Sequence, residues 1–426
     1  MRGQGGIHVG LAALKVGEGG PAGDGTAPSP HRGRTGLLAL GAVSAAVTVA
    51  SLSIRGLSSV NLNHLLDHPL SFHSLLTLPT VLALACLALA TMPRTLLINL
   101  AVLAGLIAAA ETAGWALALV SPASRSESGT LYARDAALGY VLTPSALARH
   151  RLAVGNREVY SVTYEVDDRG RRRTPTTPGS ARSSFLLFFG DSNTFGEGLG
   201  QTETLSYYSG ELAATHQPYN YGVPGYGPQH MLELLNVRRL AEEVPEPEGD
   251  AVYFLIPAHV ARVIGSSRVS TGWGRHFPYY RLGPDGGLLA SGDFVHGRPL
   301  TTLLYYFWAA SKLAAASGGE LPPRYSERDY RLTAKILAES GRRLARQVRL
   351  HGFHVVLGQA YNAPQLEVLD RMRVALGREG VAVLDYSRLL DWHDPRYRLS
   401  DVDYHNSAVA NRAVALQLAS DLRIAR

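Results

Sequence analysis

Ser192 is the residue of this chain best placed for nucleophilic chemistry. It follows Phe185-Leu186-Leu187-Phe188-Phe189-Gly190, a continuous apolar run of the kind that a buried parallel strand writes. Gly190, Asp191, Asn193 and Thr194 supply a sharp turn around it, and residues 201–214 read as a helix. Strand, tight turn and helix put Ser192 at the carboxyl end of a sheet, with its hydroxyl exposed and its backbone N–H near a helix start. A serine hydroxyl is a poor nucleophile at neutral pH and needs a base within hydrogen-bond reach. Taken alone, the same Gly- and Asp-rich turn would also serve as a plain connector.

The string Gly190-Asp191-Ser192-Asn193-Thr194-Phe195-Gly196-Glu197-Gly198 resembles the first block of the GDSL-type, or SGNH, hydrolases. The resemblance implies that Ser192 is the nucleophile, that the domain is a flavodoxin-like three-layer α/β/α sandwich with a parallel sheet, and that the substrate is an ester. Two downstream stretches extend it. Asn220-Tyr221-Gly222-Val223-Pro224-Gly225-Tyr226-Gly227 is similar to the second block, which makes the N–H groups of Ser192 and Gly225 the expected oxyanion donors. A glycine suits that place because no Cβ obstructs the substrate. Ser400-Asp401-Val402-Asp403-Tyr404-His405-Asn406 resembles the final block, with His405 as general base and an Asp two or three residues earlier orienting it. Val402 occupies the three-residue offset, so Asp403 is the expected orienter and Asp401 the reserve. In an extended approach the two acids project to one side and Val402 to the other, toward apolar packing. The third block departs from the pattern. Where the family has an Asn donor in a GxND string, this chain reads Ile256-Pro257-Ala258-His259-Val260. His259 is the candidate replacement through a ring N–H, and the alternative is a surface histidine that starts a helix.

The elements that must position these groups alternate between strand and helix. Strands are expected at 185–189, 217–223, 251–257, 353–359 and 381–386, and helices at 227–243, 303–316, 326–350, 364–377 and 407–425. This alternation argues for a parallel α/β sheet. A stretch at 265–299, dense in Gly and aromatic residues, reads as an insertion with a hairpin turn at Asp285-Gly286; its aromatic side chains either contact substrate or fill a small satellite core. Residues 121–182 form a lead-in module with a strand at 159–167, to which the sequence assigns no chemistry.

The first third of the 426-residue chain is different material. Residues 1–34 are rich in Gly, Pro, Ala and Ser and read as a disordered cytoplasmic tail. Between Thr35 and Val120 the only formally charged residues are Arg55, Asp67, Arg94 and Glu111. Runs at 36–54, 74–92 and 95–120 approach the roughly 20 residues that span a bilayer, although the first also admits a cleaved signal-peptide reading. Glu111 fits best at the outer interface beside Trp115, with the third span ending near Ala110. Arg32, Arg34 and Arg94 flank the runs on the side expected to stay in the cytoplasm, which places residue 121 onward outside. The single Cys86 excludes an intramolecular disulfide. A net charge of +6 rests on arginines scattered or clustered in short runs such as Arg171-Arg172-Arg173, with no nucleic-acid module around them, so nucleic acid is not an expected partner.

The sequence therefore predicts a membrane-anchored serine esterase or deacylase of SGNH type, without metal or cofactor, acting outside the cytoplasm on an ester-bearing small molecule, lipid or glycan. An O-acyltransferase acting on a cell-surface glycan and a non-catalytic binding domain on the same fold are the alternatives.

Overall fold

The computed structural model describes residues 93–120, 124–177, 182–312, 314 and 317–424. The chain divides into two compact units, 1–103 and 104–426. Of the first, the described part is residues 93–103, which begin helix α1 (Arg94–Val120). The expected tail and the apolar runs at 36–54 and 74–92 lie outside the described residues.

Among the described residues no helix is long and apolar enough to cross a membrane. In α1 the charge-free run ends at Glu111, whose carboxylate accepts the Lys312 backbone N–H at 2.7 Å and the Ser311 hydroxyl. Glu111 is thus bound to the folded unit through these two residues. Leu96, Ile98, Val102, Leu103, Leu106 and Ile107 of the same helix are exposed.

The larger unit is built on five parallel strands: β6 (Ser184–Phe189), β7 (His216–Asn220), β8 (Glu248–Leu255), β11 (Arg349–Leu357) and β12 (Ala382–Asp385). Their order across the sheet is β7-β6-β8-β11-β12. Renumbered within the sheet this is 2-1-3-4-5, the doubly wound flavodoxin-like order, which places ligands at the carboxyl ends where the winding reverses between the first and third strands. β6 and β8 are those strands.

The unbroken hydrophobicity of β6 has a simple cause. Successive side chains point to opposite faces, and both faces are covered. Phe185, Leu187 and Phe189 enter a core with Met231 and Leu234 of α4 (Pro228–Val237), Leu337 of α6 (Glu327–Gln347) and Met372 of α7 (Ala363–Arg378). Leu186 and Phe188 face Leu205 of α3 (Leu205–Leu212) and Val414 and Leu418 of α8 (Ala408–Asp421). This makes three layers.

The lead-in module holds a three-stranded antiparallel sheet of β1 (Ser124–Glu127), β4 (Leu147–Val154) and β5 (Arg157–Glu165), and a hairpin of β2 (Tyr132–Asp135) and β3 (Gly139–Leu142). Leu131, Leu138, Leu142 and Tyr164 belong to the same core as Phe185 and Phe189, so the module is continuous with the α/β layers. The 265–299 stretch does form a hairpin, β9 (Pro278–Leu282) with β10 (Leu288–Asp293). Phe277, Tyr280 and Phe294 are buried in small satellite cores.

Candidate active site

Ser192 opens a one-turn helix, α2 (Ser192–Phe195), directly after β6. The Asp191 side chain caps it by accepting the Asn193 N–H at 3.0 Å, which leaves the Ser192 amide at the helix start without a helical acceptor. Ser192 Oγ lies 2.7 Å from His405 Nε2, and His405 Nδ1 lies 2.6 Å from Asp403 Oδ1. Asp403 Oδ1 also accepts the backbone N–H of His405 at 3.0 Å. Asn193 Oδ1 ties the nucleophile turn to the histidine loop by accepting from Gln359 Nε2 at 2.8 Å and from the Asn406 N–H at 3.2 Å. Ser192, His405 and Asp403 are therefore brought together in the order an acyl-transfer site requires.

Asp401, the reserve, is elsewhere. Its carboxylate takes a two-pronged bond from Arg157 of β5, at 2.6 and 3.0 Å. The expected inward packing of Val402 is also overturned, since this side chain is 46% exposed. The cause is a tight turn where an extended approach was expected: Ser400 Oγ accepts the N–H groups of Val402 and Asp403, and alternation holds only in extended chain.

Gly225 has φ +85°, and a Cβ there would stand 2.4 Å from the Tyr140 hydroxyl and 2.8 Å from Trp273 Nε1. Only glycine fits this backbone and this crowding. Neither its amide nor that of Ser192 donates to a backbone carbonyl among the described residues. His259 requires the plainest correction. It is fully buried, with Nε2 3.4 Å from Asp191 Oδ2 and Nδ1 3.4 Å from the Tyr253 hydroxyl. A sealed imidazole cannot touch substrate; it supports the carboxylate beside the nucleophile. Burial disfavours its charged form and outweighs the pull of Asp191, lowering its pKa. Asp191 is held well below the usual carboxylate range: burial opposes its charge, but Arg262 and His259 together overcome that.

Two cavities adjoin at Ser126, Glu197 and Trp273. One, of about 1070 Å³, is lined by Ser192, Asn193, Arg262, Gln359, Tyr361 and His405. The other, of about 670 Å³, is lined by Tyr132, Tyr140, His150, Pro224, Gly225 and Trp273. Glu197 lines both. The lead-in module, read as inert in the sequence, supplies a wall of each.

Glu197 stands inside the Gly190–Gly198 string, yet its place there gives no sign of a role. Its carboxylate accepts the Tyr160 hydroxyl at 3.0 Å, lies 3.8 Å from His405 Nε2 and comes within 4.0 Å of His150 Nδ1. Burial works against a charged His405, but the bond to Asp403 and the negative charges of Glu197, Asp403 and Asp191 prevail and raise its pKa to about 9. Charged His405 contributes stability that is fully present below its ordinary value of about 6.5 and is lost as pH rises through about 9. The general base must be neutral, so kcat/KM of the free enzyme is expected to climb about tenfold per pH unit up to a midpoint near 9. Glu197→Gln should move that limb to lower pH. An unchanged limb in the variant would show that Glu197 does not act on His405.

Arg172 was likewise invisible in the Arg171-Arg172-Arg173 run. It is buried, donates to the carbonyls of Gly196 and Leu199 at 2.7 and 2.6 Å, and lies over the rings of Tyr164 and Phe195. It fixes the loop that presents Glu197.

No family model and no curated relative matches the chain. Solved structures to which it is similar include a member of the lipolytic G-D-S-L family from Veillonella parvula, 12% identical, covering 56% of this chain and 97% of that one with a TM-score of 0.32. A carbohydrate acetylesterase from Sinorhizobium meliloti is 10% identical, with 56% and 98% covered and a TM-score of 0.32. An acetyl xylan esterase from Butyrivibrio proteoclasticus is 10% identical, with 71% and 89% covered and a TM-score of 0.32.

Proposed function

We propose that this protein is a serine esterase or deacylase of SGNH type. The observation that carries this reading is the unbroken chain of short hydrogen bonds from Ser192 Oγ through the His405 ring to Asp403. His405 Nε2 takes the serine proton as Oγ bonds to the ester carbon, and the carbonyl electron pair moves to oxygen. The Ser192 and Gly225 amides receive that oxyanion. Collapse expels the alcohol, which takes its proton from His405, and water then repeats the sequence on the acyl-serine. Asp403 holds the ring in the tautomer that leaves Nε2 free to accept. The test is cleavage of a short-chain aryl ester together with labelling by a serine-reactive fluorophosphonate. A folded wild-type protein that does neither is a binding domain.

A second reading is transfer of the acyl group to a sugar hydroxyl. What favours it is the size and lining of the larger cavity, where Tyr361, Tyr404 and Trp273 offer ring faces beside Gln359, Asn362 and Gln365. Product analysis with and without a polysaccharide acceptor separates the two, because hydrolysis releases free acid in both cases.

We further propose that the enzyme is anchored in the cytoplasmic membrane. The apolar runs at 36–54 and 74–92 support this. The full-length protein should sediment with membranes and stay there after a high-salt wash, and recovery in the soluble fraction would overturn the anchor.

A further inference from the structure

The tetrahedral intermediate of ester cleavage places a full negative charge on the former carbonyl oxygen, and each aimed donor there is typically worth about 10²- to 10³-fold in rate. The Ser192 and Gly225 amides are two such donors. The Asn side chain expected as a third is missing from Ile256-Pro257-Ala258-His259, and His259 is sealed behind Asp191. One turn further along α5 (Ala258–Ile264) stands Arg262.

Its guanidinium is tethered at two points. Nη1 donates to Asp191 Oδ2 at 2.7 Å and to the Tyr226 carbonyl at 2.7 Å. Asp191 immediately precedes Ser192 and Tyr226 immediately follows Gly225, so the group bridges the two segments that carry the amide donors. Asp191 has no exposure and the Arg262 side chain retains 12%. Arg262 lines the cavity that holds Ser192 and His405, and it also borders a neighbouring one beyond Pro257 and Ala258. The two hydrogens of Nη1 are taken, whereas a guanidinium carries five donors in a fixed fork.

We infer that Arg262 is the third oxyanion donor, a charged fork standing in for the neutral amide that this chain lacks. The inference rests on the serine-esterase reading of the same site. As Ser192 Oγ bonds to the carbonyl carbon and its proton passes to His405, the displaced electron pair on oxygen is received by the two amides and by a remaining N–H of Arg262. The charge-assisted bond is stronger than a neutral one and is made in full only when the oxygen is an anion. It therefore accelerates the chemical step and leaves ground-state binding nearly unchanged.

The experiment compares wild type, Arg262→Met and Arg262→Lys with a short-chain aryl ester, and with a trifluoromethyl ketone that forms a tetrahedral adduct on the serine. For Arg262→Met, kcat should fall about 10²- to 10³-fold with KM within about threefold, and trifluoromethyl ketone affinity should fall by a similar factor. Arg262→Lys, which keeps a cation against Asp191 but not the fork, should fall between. A structural clamp alone would not tie the loss of kcat to the loss of inhibitor affinity. A folded Arg262→Met that retains kcat within threefold, or that loses kcat with inhibitor affinity unchanged, overturns the inference. Should Arg262→Met fail to melt cooperatively, the same two measurements on Arg262→Lys decide. A wild type that fluorophosphonate never labels overturns the esterase reading itself, and this inference with it.

Discussion

Ser192→Ala is expected to lower kcat on a short-chain aryl ester by roughly 10⁶-fold, the scale seen when the serine of a hydrolase triad is removed, and to abolish fluorophosphonate labelling. The hydroxyl's partner is His405 Nε2 at 2.7 Å, so its loss removes the bond that forms to carbon and disturbs little else. His405 remains held by Asp403 through Nδ1 and through its backbone N–H. Alanine at the first position of α2 keeps the Asp191 cap, which bonds to the Asn193 amide. Stability should therefore change by less than about 1 kcal/mol, and near-native melting separates lost chemistry from lost fold. Whatever rate remains over water would come from the amide donors and substrate binding. Retention of more than about one part in a hundred of the activity, beside the roughly 10⁶-fold loss expected, would mean that another group attacks the ester.

The elements around Ser192 were legible because they follow local rules. β6 is apolar throughout because both of its faces are buried, and the glycine after it and the asparagine, threonine and aspartate around the serine write the turn. The five strands and the helices between them were placed by the same alternation, with boundaries shifted by a few residues: 217–223 became His216–Asn220 and 251–257 became Glu248–Leu255. What could not be read were contacts between distant segments. Tyr160 sits on β5, whose alternation explains itself, and His150 on its partner β4; nothing local says that one face of these strands meets the catalytic loop. Arg262 is one arginine on a short helix until Asp191 and Tyr226 are seen on either side of it. His259 shows the reverse error: a residue type able to donate to an oxyanion is not thereby exposed to one. The Val402 expectation failed because parity was applied to a turn.

The structure sets Asp403, and not Asp401, against His405, and this contrast yields the second large effect. Asp403 sits in a turn closed by its own carbonyl, which accepts the Ser400 N–H, and by the Ser400 hydroxyl, which accepts the Asp403 N–H at 3.0 Å. Its Oδ1 then receives both N–H groups of His405, so backbone and ring are aligned by one oxygen. Burial raises the cost of its charge, yet the bonds from His405 and the facing histidine charge hold its pKa below the ordinary value. Asparagine in its place can present N–H to Nδ1 and so favour the tautomer whose Nε2 carries the proton and cannot accept from Ser192. The loss expected for Asp403→Asn is about 10⁴-fold in kcat, as for the equivalent change in a serine-protease triad. It has a second signature. Asp403 is among the groups that raise His405 to about 9, so what activity survives should show its acid limb at lower pH than wild type, a shift that a merely loosened loop would not produce. Asp401→Asn removes an exposed ion pair with Arg157 and should change kcat by less than about threefold, since such pairs contribute little in water. A large loss at Asp401 with a small one at Asp403 would reverse the assignment, and an Asp403→Asn variant with an unmoved acid limb would show that Asp403 supports the loop without orienting the base.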